Sequence, residues 1–328
     1  RGAGRYAQRA AKARGPLPLS LRDALFMQAR SCDNLGSPFT ARVLTLLAEN
    51  LTPGSPLADR LLDWPGDIGS SGASVPLRMA GALHGLVLDG RAPDLAACYP
   101  PQTVSDDLTL WSAMDRAMTD HAPRLMDWLD RPPQTNEVGR SAVLIAAGHW
   151  LTARHGLPLM LSELGASAGL NLNWDRYALD ILGTRFGPAD AALTLSPDWT
   201  GPPPPAACPV VADRRGTDLT PLNPARARDR LRLGAYVWPD QALRLERLRA
   251  ALPLPPAPVD RCDAADWLPP RLAAQPEGQV HLICHTVAWQ YFPAPVQRRA
   301  ADMIRAAGDR ATPGRPMAWF GMEADDLD

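Results

Sequence analysis

At 328 residues the chain is about twice the usual single-domain length, so two domains, or one large α/β domain with an elaborated end, are expected. Apolar residues make up 46% and charged residues 21%, which excludes general disorder. Lys+Arg 34 against Asp+Glu 35 leaves a net charge of −1, so nothing at whole-chain level favours nucleic acid or an anionic membrane as the main partner.

No window approaches the roughly 18 apolar residues of a membrane span, and no secretory apolar segment is found near the start. The five cysteines, Cys32, Cys98, Cys208, Cys262 and Cys284, are widely spaced and form no CxxC pair, so reduced thiols in a cytoplasm are expected. The first 22 residues carry six basic side chains (Arg1, Arg5, Arg9, Lys12, Arg14, Arg22) and no acidic one. A nucleic-acid arm or a targeting segment fits that run, and a solvated helix face is the plainer reading.

The first half reads as helices. Apolar residues recur at three- and four-residue spacing over 5–28, 39–50, 75–88, 107–129 and 137–155. Thr135 or Asn136 is placed to cap the last of these, and Gly156 with Pro158 to stop it. The second half alternates. Short apolar runs at 157–164, 208–212, 257–262, 280–285 and 317–322 look like buried parallel strands, separated by helix-period stretches at 226–252, 266–274 and 295–310. One long interval breaks the rhythm, with 177–181 and 191–195 alternating like a hairpin inside an insertion at about 174–205. The expected fold class is α/β: a helical N-terminal region (1–135) followed by a Rossmann-like, doubly wound, mostly parallel sheet (136–328).

The informative motif is ELGASAGLN, where the first strand is expected to turn into a helix. Its small residues permit tight turning and leave room for a ligand against backbone. The loop resembles the acidic-x-Gly-x-(Gly/Ser)-x-Gly signature of class I S-adenosylmethionine-dependent methyltransferases, matched by Glu163, Gly165, Ser167 and Gly169. That resemblance implies S-adenosylmethionine as cofactor, with these four residues around its methionine end. It further implies that Asp213, closing the second strand, holds the ribose and that Asp263, after the third, lies beside the adenine. His285 and Tyr291 would face the substrate. Asp213 follows the loop by far more than the roughly 20 residues usual in dinucleotide folds, a gap the insertion accounts for.

A rival chemistry reads Gly165-Ala-Ser167-Ala-Gly169 as the elbow of a serine hydrolase, with Asp263 and His285 following in triad order. Against it stand helices where a hydrolase has strands, and the absence of its HGG loop. A non-catalytic ligand-binding or regulatory protein on a methyltransferase-like scaffold is the third reading, and the oligomeric state is left open.

Other polar residues point at the expected pocket mouth. Asn136, Glu137 and Arg140 open the helix that leads into the first strand, and Arg214, Arg215 and Asp218 are expected in the loop after the second. Gln290 and Tyr291 follow the fourth. His281 and His285, on one strand, would lie about 13 Å apart at roughly 3.3 Å per residue, too far to share a metal.

The stretches VPLRMAGALHGLVLDG, TNEVGRSA, ELGASAGLNLNWDRY, DRRGTDLTPLNP and HTVAWQYF together resemble an uncharacterised bacterial family, domain-of-unknown-function group 2332. The resemblance spans nearly the whole chain and implies a fold without a demonstrated reaction. It also implies further strand-rich sequence after Asp328.

Overall fold

The structure, a computed structural model, describes residues 20–103 and 106–324. The basic run up to Arg14 and the residues after Ala324 lie outside them.

The helical part comprises α1 (Leu21–Asn34), α2 (Pro38–Asn50), α3 (Pro56–Leu62), α4 (Val75–Leu88), α5 (Pro93–Ala96), α6 (Asp107–Asp120) and α7 (Ala122–Leu129). The single helix expected over 107–129 is two, broken at His121, whose backbone leaves the helical region ahead of Pro123. The first helix begins at Leu21 within the described residues and runs past Gln28 to Asn34. α4 is buried nearly all round and forms the axis of this part. Its Gly81 and Gly85 share one face, and a Cβ on either would fall inside the rings of Tyr236 and Trp128. These two rings meet there, Trp128 Nε1 donating to Tyr236 Oη at 3.1 Å.

A 3-10 turn (Val138–Arg140) leads into α8 (Ser141–His155), which stops at Gly156 with φ 64°, the left-handed conformation a helix C-terminus favours. Then come β1 (Leu159–Leu164), a 3-10 helix (Asn171–Arg176), β2 (Ala178–Ile181), β3 (Thr184–Phe186), β4 (Thr194–Leu195) and β5 (Val211–Asp218). The chain continues through α9 (Ala227–Ala235), α10 (Ala242–Ala251), β6 (Val259–Arg261), α11 (Ala264–Ala273), β7 (Val280–Thr286), α12 (Ala294–Gly308) and β8 (Met317–Met322).

Five strands form one parallel sheet in the order β6-β5-β1-β7-β8. β1 is central and buried at every residue, which explains its unbroken apolar run. Alternation divides it between two cores: Leu159 and Leu161 face α8 and α10, and Leu164 faces α11 and α12. The chain leaves β1 for β5 on one side and later returns to β7 on the other, so strand order reverses at β1. Parallel sheets of this kind bind ligands in the crevice at that reversal, beyond the strands' C-terminal ends.

Further expectations change, among them the stretch 226–252, which is two helices, α9 and α10. The second strand is not 208–212 but β5, six residues further along at its end, so Asp213, Arg214 and Arg215 lie within the strand and Asp218 closes it. The hairpin pairs β2 with β3 around Leu182-Gly183, both at positive φ, whereas β4 joins β2 in parallel. The β1 loop opens a 3-10 helix and not an α-helix.

A third apolar core draws only on residues between Leu21 and Leu129, with Trp238 packed against it. Asp240 joins it to the α9–α10 connection. Its carboxylate accepts the Phe39 N–H at 2.8 Å and the Ser37 hydroxyl, supplying the N-terminus of α2 with a cap from the α9–α10 connection. His84 of α4 adds a bond at 3.2 Å from Nδ1 to the Ala235 carbonyl. Among the described residues, no helix is long and apolar enough to cross a membrane.

Candidate ligand site at the C-terminal edge of the sheet

Glu163 sits one residue before the end of β1 and is 2% exposed. Burial raises its pKa to about 8, Arg140 and the Asn171 amide pulling down and Asp218 pushing up. One carboxyl oxygen, Oε2, is buried with no hydrogen-bond partner among the described residues. Gly165, Ser167 and Gly169, at alternate positions of the following loop, all have positive φ (72°, 53° and 71°). Serine thus occupies a backbone conformation that L-residues rarely adopt. Its hydroxyl is also buried and unpartnered.

The loop's backbone is held from three sides. Gly165 and Ala166 donate to the Thr217 carbonyl, Ser167 donates to Asp218 at 2.9 Å, and Ala168 and Leu170 both donate to Oδ1 of Asn136. Asn136 therefore clamps this loop. The cap of the 3-10 turn is Glu137, which accepts the Gly139 N–H, so neither Thr135 nor Asn136 takes the expected capping position. Gly165 packs so closely on the loop after β7 that a Cβ would lie 2.5 Å from Cβ of Ala288.

Beside Glu163 lies a run of polar contacts. Ser141 Oγ donates to Asn171 at 2.8 Å, and Arg140 Nη1 donates to the carbonyl of Thr286, the last residue of β7, at 2.8 Å. Desolvation lowers the Arg140 pKa. Arg140 forms no ion pair among the described residues, whereas its neighbour Arg244 pairs with Glu137.

Arg140 and Tyr291 share a cavity of about 280 Å³ between the helical part and the sheet. Phe39, Val43, Ala80, His84, Tyr99, Tyr236 and Trp238 also line it. A shallower depression of about 850 Å³ lies on α1 and α2, around Phe26, Met27 and Thr45.

The remaining candidates are engaged with partners of their own. Asp213 pairs with Arg271, which also donates to the Leu161 carbonyl and Ser162, so it braces the sheet well before the strand's end. Arg215 makes two bonds to Asp260 across the β5–β6 pair, at 2.6 and 2.8 Å, and Arg214 makes two to Asp175. Asp263 follows β6 and caps α11 through the Ala265 N–H. Gln290 is exposed, and its side-chain oxygen accepts from Ala324 N.

His285 faces α12, opposite to Glu163. Its Nδ1 meets Glu323 at 2.6 Å, and its ring stacks on Trp289. Desolvation lowers its pKa against the opposing pull of Glu323. Ser167, Asp263 and His285 form no hydrogen-bonded relay.

The sheet, its strand order and the helices over its edge define a Rossmann-like α/β protein with a helical cap. The profile of the family described as "Uncharacterized protein conserved in bacteria (DUF2332)" matches residues 22–328, and the chain belongs to that family. No curated protein and no solved structure matches it.

Proposed function

We propose that the protein is a bacterial, cytoplasmic enzyme that binds S-adenosylmethionine at the reversal point of the sheet and methylates a small molecule in the adjoining cavity. The observation that carries this reading is Glu163: a buried carboxyl with one unbonded oxygen, at the end of the central strand, followed by three alternating left-handed residues. An ammonium group beside Glu163 would supply the missing donor and favour the ionised carboxylate. Asp218, at the end of β5, takes the ribose position in place of Asp213, and Asp263 stays beside the adenine. Ser167 Oγ is a second group with a free hydrogen-bonding capacity.

When bound, the cofactor's sulfonium supplies a methyl group already activated for displacement, with the neutral thioether as leaving group. The protein's task is then alignment and water exclusion, for which no strong base is required. Tyr291, at the cavity mouth, is placed to orient the acceptor. His285, held by Glu323 and Trp289, is placed to fix the loop that carries Tyr291.

One observation favours a non-catalytic, scaffold-like role: the N–H groups of Gly165, Ala166, Ser167, Ala168, Gly169 and Leu170 are all bonded within the protein. Calorimetric titration with S-adenosylhomocysteine separates the two. Micromolar binding, about −8 kcal/mol, accompanied by proton release from Glu163 at pH 7, supports the enzyme. No heat at two temperatures sinks it.

A further inference from the structure

We infer that the cavity between the helical cap and the sheet takes a small aromatic or alicyclic carboxylic acid, its carboxylate on Arg140. As the identity of the methyl acceptor this rests on the proposed function; as a binding site it stands alone.

Three features of the cavity select this ligand class. Its walls are mostly apolar or aromatic, with Phe39, Val43, Ala80, Tyr99, Tyr236 and Trp238 among them. At about 280 Å³ it is near the lower limit for small-molecule sites, room for about one ring with a short substituent. It has two arginines, and only one is held in an ion pair. Arg244 is paired with Glu137 and also donates to Gln241. Arg140 is half-buried and holds one backbone carbonyl, without a carboxylate partner among the described residues.

A desolvated guanidinium is costly until an anion meets it, and its planar fork matches a carboxylate. A phosphate dianion would call for more donors than one partly engaged arginine supplies. The Tyr99 hydroxyl, which also has no hydrogen-bond partner among the described residues, offers a neutral donor in the same wall. Tyr291 places the cavity next to the end of β7, so a ring anchored on Arg140 lies beside the edge where the methyl donor is proposed.

The test titrates the full chain with benzoate and with its uncharged analogue benzamide. Benzoate is expected to bind with Kd below about 1 mM and benzamide at least about tenfold more weakly. Arg140→Gln removes most of that difference. Ala80→Leu, which fills the cavity and leaves the charge, weakens both probes.

Arg140→Gln also loses the bond to Thr286, so its melting temperature is measured alongside. If it unfolds, Arg140→Lys, expected to bind benzoate more weakly than the parent while remaining folded, takes its place. Equal affinity for the two probes, no binding of benzoate, or unchanged benzoate affinity in the folded arginine variant overturns the inference. Benzoate binding without S-adenosylhomocysteine binding sinks the methyltransferase and keeps the site; the reverse sinks the site alone.

Discussion

Asp218 accepts the backbone N–H of Ser167 at 2.9 Å, tying the end of β5 to the loop that follows β1. The same carboxylate accepts from Thr220 N at 2.8 Å and from Gln134 at 3.3 Å. Asp218→Ala leaves these donors unmatched and is expected to cost about 1–3 kcal/mol, read from urea denaturation. Under the proposed function it also weakens S-adenosylhomocysteine binding, whereas Asp213→Ala, at the other end of the strand, does not. Equal losses in both variants would return the ribose role to neither.

Glu163 and the buried histidines shape stability against pH in opposite directions. The Glu163 pKa is raised by burial from 4.5 to about 8, so its contribution is full below pH 4.5 and is lost as pH rises toward 8. Burial lowers His84 and His281 from 6.5 to about 4, so the unfolded chain takes up protons first and stability falls as pH drops below 6.5. Between 4.5 and 6.5 the two histidines outweigh the one carboxyl. The midpoint of urea unfolding is therefore expected to peak near pH 6.5. Glu163→Gln removes the alkaline fall, gaining on the parent by about 1.4 kcal/mol per pH unit up to pH 8. A flat profile in the parent would contradict this account.

Glu323 gathers the loop after β7. Its carboxylate meets His285 and accepts from the backbone of Ala288, Trp289 and Gln290 at 3.2–3.3 Å. Glu323→Ala is expected to cost about 1–3 kcal/mol and to depress the His285 pKa further, since Glu323 is what opposes desolvation there. Histidine NMR titration with the parent as reference measures the second effect.

Asp240 is the third anchor. Asp240→Ala removes the cap of α2 and is expected to cost about 1–2 kcal/mol. Hydrogen exchange should quicken first at Phe39 and Thr40; protection unchanged there would show that α2 holds its start without help.

How much of this was legible in the sequence depends on chemistry at each element. β1, β7 and β8 are short apolar runs and show themselves; α4 and α8 are apolar stretches too long for strands, and α8 ends in a glycine stop. β5 hides because its residues VADRRGTD are polar, their aspartates and arginines answered by partners such as Asp175, Asp260 and Arg271, which sequence spacing does not reveal. That single misplacement put Asp213 at the expected strand end, where Asp218 stands. β3 is three residues long with two exposed, too short to alternate visibly, although Leu182-Gly183 was a usable turn signal. Arg140 and Tyr291, far apart in the chain, do meet in one cavity. Asp240 and Asn136 act on backbone groups far away in sequence, and their roles as remote caps exist only once the chain is folded.

Arg140 belongs to two neighbourhoods. It forms part of the cavity wall and, through the Thr286 carbonyl, it also tethers the tip of β7, whose side chain reaches the Asn171 amide beside Glu163. Anything that redirects this guanidinium alters the support of the sheet edge, and anything that reorganises the edge alters the charge offered to the cavity. Linkage makes such an influence mutual, with the same coupling free energy in both directions. Arg140 is thus a contact that the cavity and the sheet edge share.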